Sequence, residues 1–291
     1  MEIRFDEPMA RHVTWRAGGP VARAGFPRDL ADLAAFLRNL RHDEPLLMVG
    51  LGSNLLIRDG GFDGTAIFTH RALSALRREA DGSLYAEAGV ASPKIARFAV
   101  NHGLAGAEFL AGIPGTLGGA LAMNAGCHGD EIWHYVERVR MINRAGECVD
   151  RRPEDFAIGY RHVGLKHACD EIFAAAWLRF APGDAAIARA RIRELLERRV
   201  ATQPLSLPNA GSVFRNPPGD HAARLIEAAG LKGLEEGGAR VSEKHANFIV
   251  NPTGRATASA IESLIGRIQA EVRERFGVEL VREVRILGAS N

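Results

Sequence analysis

The most constraining feature of the sequence is a glycine-rich segment in the middle of the chain, residues 112–129. It holds six glycines in eighteen positions, and its other residues are mostly apolar with almost no charge. A flexible linker would be polar rather than apolar. Glycine lets a backbone take a positive φ or come close to another group. We therefore expect this segment to be buried against a large flat ligand or another strand.

Length, composition and charge are typical of a globular protein with a well-buried core. The chain has 291 residues, of which 46% are hydrophobic. Its 37 basic residues are interspersed with 35 acidic ones, so nothing favours a nucleic-acid partner. The acidic start does not fit a signal peptide, and no stretch approaches the roughly 18 apolar residues of a membrane span. We expect a cytoplasmic protein without a membrane partner.

The three cysteines are Cys127, Cys148 and Cys169. Their number is odd, and no C-x-x-C pair or nearby histidine at zinc spacing accompanies them. We interpret them as reduced thiols and predict no metal site.

Hydrophobic spacing predicts a mixed order of helices and strands. Leu30 to Leu40 has helical spacing, and short strands at 46–49 and 55–57 enclose a glycine turn. Residues 64–180 should be mostly strands and turns with one helix, capped by Ser92. The other predicted elements are strands at 65–69, 84–90, 136–143, 173–180 and 278–287, and helices at 185–200, from Asp220 to Gly230, and from about Ile261 to Gly277.

Familiar nucleotide and hydrolase motifs do not fit this chain. At the G-x-G turn of residues 50–52, Leu55 replaces the third glycine of a dinucleotide fingerprint, and no helix is expected to follow. A Gly-Lys dipeptide, H-E-x-x-H and G-x-S-x-G are all missing from the sequence. The turns at 50–54 and 112–119 could form a pyrophosphate nest from backbone N–H groups without a helix. They could equally be tight turns that packing alone requires.

Seven blocks of the sequence closely resemble the UDP-N-acetylenolpyruvoylglucosamine reductase family, flavoenzymes that make UDP-N-acetylmuramate for peptidoglycan. The blocks occur in the family order. They are residues 14–19, 51–62, 112–119, 159–161, 210–217, 244–251 and 283–285. Arg161 and Ser212 are only 51 positions apart, so the extra loop of some members is missing and the chain resembles the shorter type.

The resemblance implies an α+β fold with an FAD-binding domain of the vanillyl-alcohol-oxidase-like type, made of two pieces, and a C-terminal α+β substrate-binding domain. We predict subdomains at 1–63 and 64–181, a substrate domain at 182–277, and a terminal strand at 278–291 that returns to the flavin site. It also implies noncovalent FAD and NADPH as co-substrate. The residues expected to bind FAD are Gly50, Leu51, Gly52, Ser53, Asn54, Leu55, Gly112, Ile113, Pro114, Gly115, Thr116, Gly118, Gly119, Ala120, Asn124 and Gly126.

The family reaction reduces an enol ether attached to a carboxylate, and the resemblance carries three catalytic roles onto this chain. Arg161 would activate the substrate carboxylate through its planar fork of donors. Ser212 would donate the proton. Glu283, which the predicted terminal strand carries, would help to stabilise the enediolate. Tyr160, Arg215 and Asn216 would bind the UDP-sugar substrate.

Two alternative functions stay open from the sequence. A flavin oxidase of the same superfamily would reoxidise rapidly with oxygen, and Cys127 or His128 could then carry a covalently joined flavin. A noncatalytic flavin-binding scaffold would not need Arg161, Ser212 and Glu283, yet all three are present. The preference for NADPH over NADH rests on the resemblance. The sequence leaves the oligomeric state undetermined, and a monomer is compatible with it.

Overall fold

The computed structural model describes residues 1–167 and 170–290, so Cys169 lies outside the described residues. Helices and mostly antiparallel strands are mixed along this part of the chain, which confirms the α+β class. The α-helices are α1 Leu30–Arg38, α2 Ser92–Asn101, α3 Leu117–Ala122, α4 Ala185–Thr202, α5 Ala222–Ala228 and α6 Ala258–Phe276. No helix of the described part is long and apolar enough to cross a membrane.

The strands are mostly short. They are β1 Glu2–Pro8, β2 Pro20–Phe26, β3 Leu46–Val49, β4 Leu55–Ile57, β5 Phe62–Phe68, β6 Leu76–Arg78, β7 Leu84–Glu87, β8 Leu104–Ala105, β9 Gly126–Cys127, β10 Asp130–Glu131, β11 Val136–Asn143, β12 Cys148–Arg151, β13 Phe156–Gly159, β14 His162–Leu165, β15 Glu171–Leu178, β16 Ala181–Pro182, β17 Glu235–Glu236, β18 Ala239–Val241, β19 Ile249–Val250 and β20 Arg285–Leu287.

Two larger sheets and several small ones contain these strands. One sheet has the order β12-β11-β15-β7-β6 and is antiparallel throughout. Another has the order β1-β2-β5-β3, in which β3 and β5 are parallel. Strands β17, β18 and β19 form an antiparallel sheet, and β4 pairs in parallel with β20. Antiparallel two-stranded pairs join β13 with β14, β9 with β10, and β8 with β16.

Backbone contacts divide the chain into two compact units. Unit 1 comprises Met1–Arg4, Ala24–Leu51 and Thr65–Arg198, and unit 2 comprises Phe5–Arg23, Gly52–Gly64 and Arg199–Asn291. These are groupings by backbone contact, and the domain boundaries at residues 63, 181 and 277 stay a prediction.

In unit 1, α2 and α3 pack with the five-stranded sheet. The apolar face predicted for the helix after Ser92 is buried, since Ile95, Ala96 and Ala99 are all inaccessible to solvent. Leu117 and Leu121 of α3 join the same core. This core fixes the glycine-rich segment firmly inside unit 1.

In unit 2, the core forms between α5, α6 and the small antiparallel sheet. Trp15 is fully buried in it, and its indole N–H donates to the carbonyl of Ile249 (2.7 Å). Helix α6 begins after Thr257 and ends at Gly277, which has φ +67°. The apolar stripe Ile261, Leu264, Ile265, Ile268 and Val272 is buried, as its helical spacing predicts.

The predicted elements agree with the structure at several places and are wrong at others. Strand β11 and the end of α6 lie where they were predicted. The expectation of a single helix within residues 64–180 is wrong, because α3 lies inside the glycine-rich segment. Burial of its leucines outweighs the low helix propensity of its glycines. The N-caps of α2 and α5 also differ by one residue from the prediction. They are Ala91 and His221, where Ser92 and Asp220 were predicted.

The terminal strand is shorter than predicted, and Glu283 lies outside it. Only Arg285–Leu287 forms a strand, while Arg282 makes an isolated bridge with Phe214. The backbone of residues 281–284 bonds to residues 213–215 instead of continuing the ladder with β4. The parallel pairing of β20 with β4 places the chain end beside the strand that follows the first glycine turn, while its return to a flavin site stays a prediction.

Candidate active site

Packing explains the glycines of the first turn. A Cβ on Gly50 would lie 2.3 Å from Oγ1 of Thr116 in unit 1. In unit 2, a Cβ on Gly52 would lie 2.2 Å from the carbonyl oxygen of His12, and Gly52 has φ +61°. Real Cβ atoms do not approach so closely, so the folded chain needs glycine at both positions without any ligand.

Gly119 is different, because neither packing nor backbone conformation requires it. A Cβ at this position would have no heavy atom within 4 Å, although Gly119 lies inside α3. Glycine in a helix interior costs about 1 kcal/mol relative to alanine. The neighbouring Gly118, by contrast, would bring a Cβ to 3.0 Å from that of Ala88. Gly119 is exposed on α3, so a Cβ at this position would point into open space.

Tyr160 and Arg161 form the two-residue turn of the β13–β14 hairpin, in which Gly159 pairs with His162. Arg161 has φ +52°, a conformation that side-chain-bearing residues adopt rarely. Tyr160 is 49% exposed, and the Arg161 guanidinium carbon lies 5.0 Å from the centroid of its ring. The turn therefore presents an aromatic ring and a guanidinium side by side.

The Arg161 guanidinium is bonded to the predicted flavin-binding wall. Its Nη1 and Nη2 donate to the carbonyl oxygens of Asn124 (3.3 Å) and Gly126 (2.8 Å). Asn124 is 1% exposed, and its amide donates to Glu131 Oε2 (2.6 Å) and to the carbonyl of Gly159 at the base of the hairpin (3.1 Å). In unit 1, the structure thus brings together the predicted catalytic arginine and two predicted cofactor residues.

Ser212 lies on an irregular loop in unit 2, between Gly211 and the buried Val213. Gly211 has φ +74°, and its N–H donates to Asn209 Oδ1 (2.9 Å). Among the described residues, the Ser212 hydroxyl makes no side-chain hydrogen bond. The loop therefore fixes the backbone around Ser212 and leaves its hydroxyl available to a bound molecule.

Glu283 lies next to this loop through backbone contacts. Its N–H donates to the carbonyl of Val213 (2.8 Å), and its own carbonyl accepts from the Asn54 side chain (3.1 Å). Three residues predicted for separate roles, Asn54, Ser212 and Glu283, thus lie in one neighbourhood of unit 2. The side chain of Asn54 bonds to the chain end, a contact that its position in the glycine turn did not predict.

The two substrate-binding residues that follow Ser212 have different surroundings. Arg215 is half-buried, and its Nε is buried without a hydrogen-bond partner among the described residues. An unpaired buried donor of this kind suits an anionic ligand. Asn216 accepts a hydrogen bond from the N–H of Ala222 (3.1 Å), so its side chain supports the start of α5.

Neither Cys127 nor Cys148 forms a disulfide in the part of the chain that the structure describes. Sγ of Cys127 donates to the carbonyl of Phe109 (3.1 Å), and Cys148 is exposed. Within residues 1–167 and 170–290, no group of three or more His, Cys, Asp or Glu side chains is placed to hold a metal ion.

Two residues with clear structural roles were not singled out from the sequence. Asn247 bonds to the backbone of Phe214 beside Ser212. Asp59 accepts from the N–H groups of Ala258 (3.0 Å) and Ser259 (2.8 Å) at the start of α6. Burial alone would raise the pKa of Asp59, but these hydrogen bonds outweigh it and the pKa is lowered. Both residues lie in blocks that carry the family resemblance, which is the only sequence signal for them.

Comparison with family models gives two matches that together span most of the chain. Residues 22–151 match the FAD binding domain model. Residues 203–287 match the model described as UDP-N-acetylenolpyruvoylglucosamine reductase, C-terminal domain.

Curated relatives and a solved structure extend these matches to nearly the full chain. A UDP-N-acetylenolpyruvoylglucosamine reductase from Alkalilimnicola ehrlichii is 58% identical over 287 residues, covering 99% of this chain and 95% of the relative. The enzyme of that name from Thiobacillus denitrificans is 54% identical, covering 98% of this chain and 91% of the relative. The crystal structure of a UDP-N-acetylenolpyruvylglucosamine reductase from Thermus caldophilus has a TM-score of 0.82 at 30% identity and covers 98% of both chains.

Proposed function

Since this chain belongs to the UDP-N-acetylenolpyruvoylglucosamine reductase family and is an FAD-containing oxidoreductase, we propose that it catalyses the reduction of UDP-N-acetylglucosamine enolpyruvate to UDP-N-acetylmuramate. NADPH is the electron donor. The observation that supports the site assignment most directly is the hydrogen bond between Glu283 and Val213, because it links Glu283 to the residue that follows Ser212, and both are proposed to act on the enediolate.

The glycine turns are the proposed cofactor site. The residues that would hold FAD are those of the first turn, Gly50 to Leu55, and those of the segment from Gly112 to Ala120, with Asn124 and Gly126. When bound, FAD supplies the hydride-carrying chemistry between NADPH and the enolpyruvyl double bond. The open space at Gly119 supports this assignment, since the fold itself gives no reason for a glycine there.

Arg161 is the proposed partner of the substrate carboxylate. Hydride addition to the terminal enolpyruvyl carbon moves negative charge onto that carboxylate as an enediolate. A guanidinium meets such a group with two parallel N–H donors, which a lysine cannot do. The bonds to Asn124 and Gly126 hold the guanidinium before substrate arrives, so little reorganisation is needed when charge develops.

Ser212 is the proposed proton donor, and Glu283 the group that helps to stabilise the enediolate. The carbon next to the carboxylate needs one proton after hydride arrives, and a hydroxyl can supply it only where its alkoxide is stabilised. Glu283 is close along the hydrogen-bonded backbone. Arg215, whose buried Nε has no hydrogen-bond partner within residues 1–167 and 170–290, contributes positive charge near the same loop.

Substrate recognition is assigned to Tyr160, Arg215 and Asn216. The exposed Tyr160 ring positions the sugar nucleotide, and Arg215 binds its diphosphate. Because NADPH and UDP-sugars are cytoplasmic metabolites, we place the reaction in the cytoplasm, where its product enters peptidoglycan synthesis and so supports cell-wall growth, cell shape and division.

Anaerobic mixing tests this function directly. The purified yellow protein should lose its flavin absorbance on addition of NADPH and regain it on addition of UDP-N-acetylglucosamine enolpyruvate. Acid precipitation should release the yellow colour into the supernatant, since the flavin is noncovalent. Bleaching that the enolpyruvyl substrate does not reverse would remove the proposed function.

A further inference from the structure

Asn247 forms hydrogen bonds to the backbone that directly follows Ser212. Its side-chain Oδ1 accepts from the N–H of Phe214 (3.0 Å), and its Nδ2 donates to the carbonyl of the same residue (2.8 Å). The Asn247 backbone carbonyl accepts from the N–H of Val213 (2.9 Å). Asn247 is 4% exposed, so these bonds form away from water. One buried asparagine therefore fixes the two residues that directly follow Ser212.

The other side of the same loop bonds to the segment that carries Glu283. The carbonyl of Val213 accepts from the N–H of Glu283 (2.8 Å), and the N–H of Arg215 donates to the carbonyl of Val281 (2.9 Å). Residues 213–215 thus lie between Asn247 and the segment 281–283. We call this arrangement, Asn247 with 213–215 and 281–283, the backbone frame. Ser212 directly precedes the frame, and Glu283 is part of it.

Asparagine is the side chain that this position of the frame needs. Its amide offers one donor and one acceptor, which matches the two polar groups of a single peptide residue. Leucine has the same number and branching of side-chain heavy atoms but would leave the N–H and the carbonyl of Phe214 buried without partners. Aspartate would keep the acceptor and lose the donor toward the Phe214 carbonyl. The side chain can therefore be altered in graded steps.

We propose that Asn247 is a positioning residue for proton delivery: it holds the backbone frame so that the Ser212 hydroxyl and the Glu283 carboxyl keep their relative placement. The inference rests on the proposed function. Asn247 acts through its hydrogen bonds to Val213 and Phe214, and we assign it no direct contact with the reacting atoms. A displacement of about 1 Å at a reacting group can cost about 100-fold in rate, so the effect should be large for a residue outside the chemistry.

The test separates the two half-reactions in Asn247→Asp and Asn247→Leu enzymes loaded with FAD. Stopped-flow absorbance measures flavin reduction by NADPH, and then flavin reoxidation by UDP-N-acetylglucosamine enolpyruvate. We expect reoxidation to fall about 100-fold in Asn247→Leu and less in Asn247→Asp, while flavin reduction stays within about threefold. The solvent deuterium isotope effect on reoxidation should increase, because proton transfer becomes the slow step.

Asn251→Leu is the matched control. Asn251 is also fully buried in unit 2, and its side-chain amide bonds to the carbonyl of Trp15 (3.0 Å) and the N–H of Ala256 (3.1 Å), which are not part of the frame. It should lower the melting temperature without separating the half-reactions or changing the isotope effect. The same separation in Asn251→Leu, or reoxidation within about threefold of wild type in Asn247→Asp, would overturn the inference. Absence of substrate-driven reoxidation in the wild type would instead reject the proposed function.

Discussion

The Arg161 turn of unit 1 and the Ser212 loop of unit 2 each rest on a buried asparagine, yet they hold their reactive groups in different ways. In the hairpin turn, the side chain itself is fixed, since the guanidinium donates to the carbonyls of Asn124 and Gly126. In the loop, the backbone is fixed by Asn247, and the serine hydroxyl makes no side-chain hydrogen bond among the described residues. The first arrangement fixes the charged group itself, and the second fixes only the backbone next to the serine.

The difference follows from the chemistry proposed for each residue. A guanidinium that stabilises developing charge works best when it is already oriented, because reorientation during the reaction would cost free energy. A hydroxyl that gives up its proton must make its important hydrogen bonds to the substrate. Four predictions test this contrast.

The largest effect should come from Ser212→Ala. Removal of the proton donor should slow substrate-driven reoxidation of the flavin about 10³-fold, since a positioned general acid contributes roughly 10²–10⁴-fold. FAD binding and reduction by NADPH should be unchanged, because the Ser212 side chain makes no hydrogen bond to the described part of the chain. Anaerobic stopped-flow measurement of both half-reactions checks this, and reoxidation at the wild-type rate would exclude Ser212 as the donor.

Arg161→Lys should have the next largest effect, about 10²-fold on the same half-reaction. Lysine keeps the charge but loses the planar fork and the paired bonds to Asn124 and Gly126. Arg161→Gly provides the comparison, because glycine suits the positive φ of this turn. It should fold at least as well and react no faster than Arg161→Lys. If the glycine enzyme kept wild-type activity, Arg161 would be only a turn residue.

The sequence predicted the elements whose signals are local. The burial pattern of β11 and the stripe of α6 with Gly277 at its end are read from neighbouring residues. Helix α3 was missed because glycines at 118 and 119 predict a turn, while the burial that stabilises the helix comes from the distant sheet of unit 1. Asn247 bonds to a residue 33 positions away, so no local pattern could assign its role.

The same limit applies to Glu283. Alternating apolar residues at 278–287 predicted a strand, but exposure alternates only near its end: Val284 is buried and Arg285 exposed, whereas Val281 and Arg282 are both exposed. The backbone of 281–284 nevertheless bonds to 213–215 rather than to β4. Periodicity therefore placed Glu283 in the wrong element, because its backbone bond to Val213 joins two parts of the chain that are distant in sequence.

The third prediction asks whether the wall behind Arg161 also serves the cofactor. Gly119→Leu would fill the open space beside α3, and overpacking of about 1–3 kcal/mol should weaken FAD binding roughly 5- to 150-fold. The melting temperature of the FAD-free protein should not fall, because no heavy atom outside the helix's own backbone lies within 4 Å of the new Cβ and leucine favours a helix more than glycine does. Titration of the FAD-free protein with FAD measures the affinity.

Gly50→Ala is the control for that substitution. Its Cβ would lie 2.3 Å from Thr116 Oγ1, so it should destabilise the FAD-free protein as well. If Gly119→Leu bound FAD as tightly as wild type, the flavin would not approach α3 at this position. The wall at Asn124 and Gly126 would then support Arg161 alone.

The smallest effect should come from Asp59→Ala, which weakens unit 2 without touching the backbone frame. Loss of the two hydrogen bonds at the start of α6 should lower the free energy of unfolding by about 1 kcal/mol at neutral pH. The pKa of Asp59 is lowered in the folded protein, so its contribution is present above the unfolded pKa and is lost as pH falls through the folded value. The difference between wild type and Asp59→Ala should therefore shrink in acid.

Thr257→Ala tests whether the pH dependence comes from the Asp59 carboxylate or from any loss of a hydrogen bond at the start of α6. Thr257 Oγ1 accepts from the N–H of Ala260 (3.1 Å) at the same helix start, and its hydroxyl does not titrate in this range. Denaturant unfolding at several pH values should show a similar loss that stays constant with pH. Both variants should keep wild-type half-reaction rates at 25 °C, because the bonds of Val213 and Phe214 are intact. A slowed reoxidation in either would mean that general weakening of unit 2, rather than Asn247, controls the placement of Ser212.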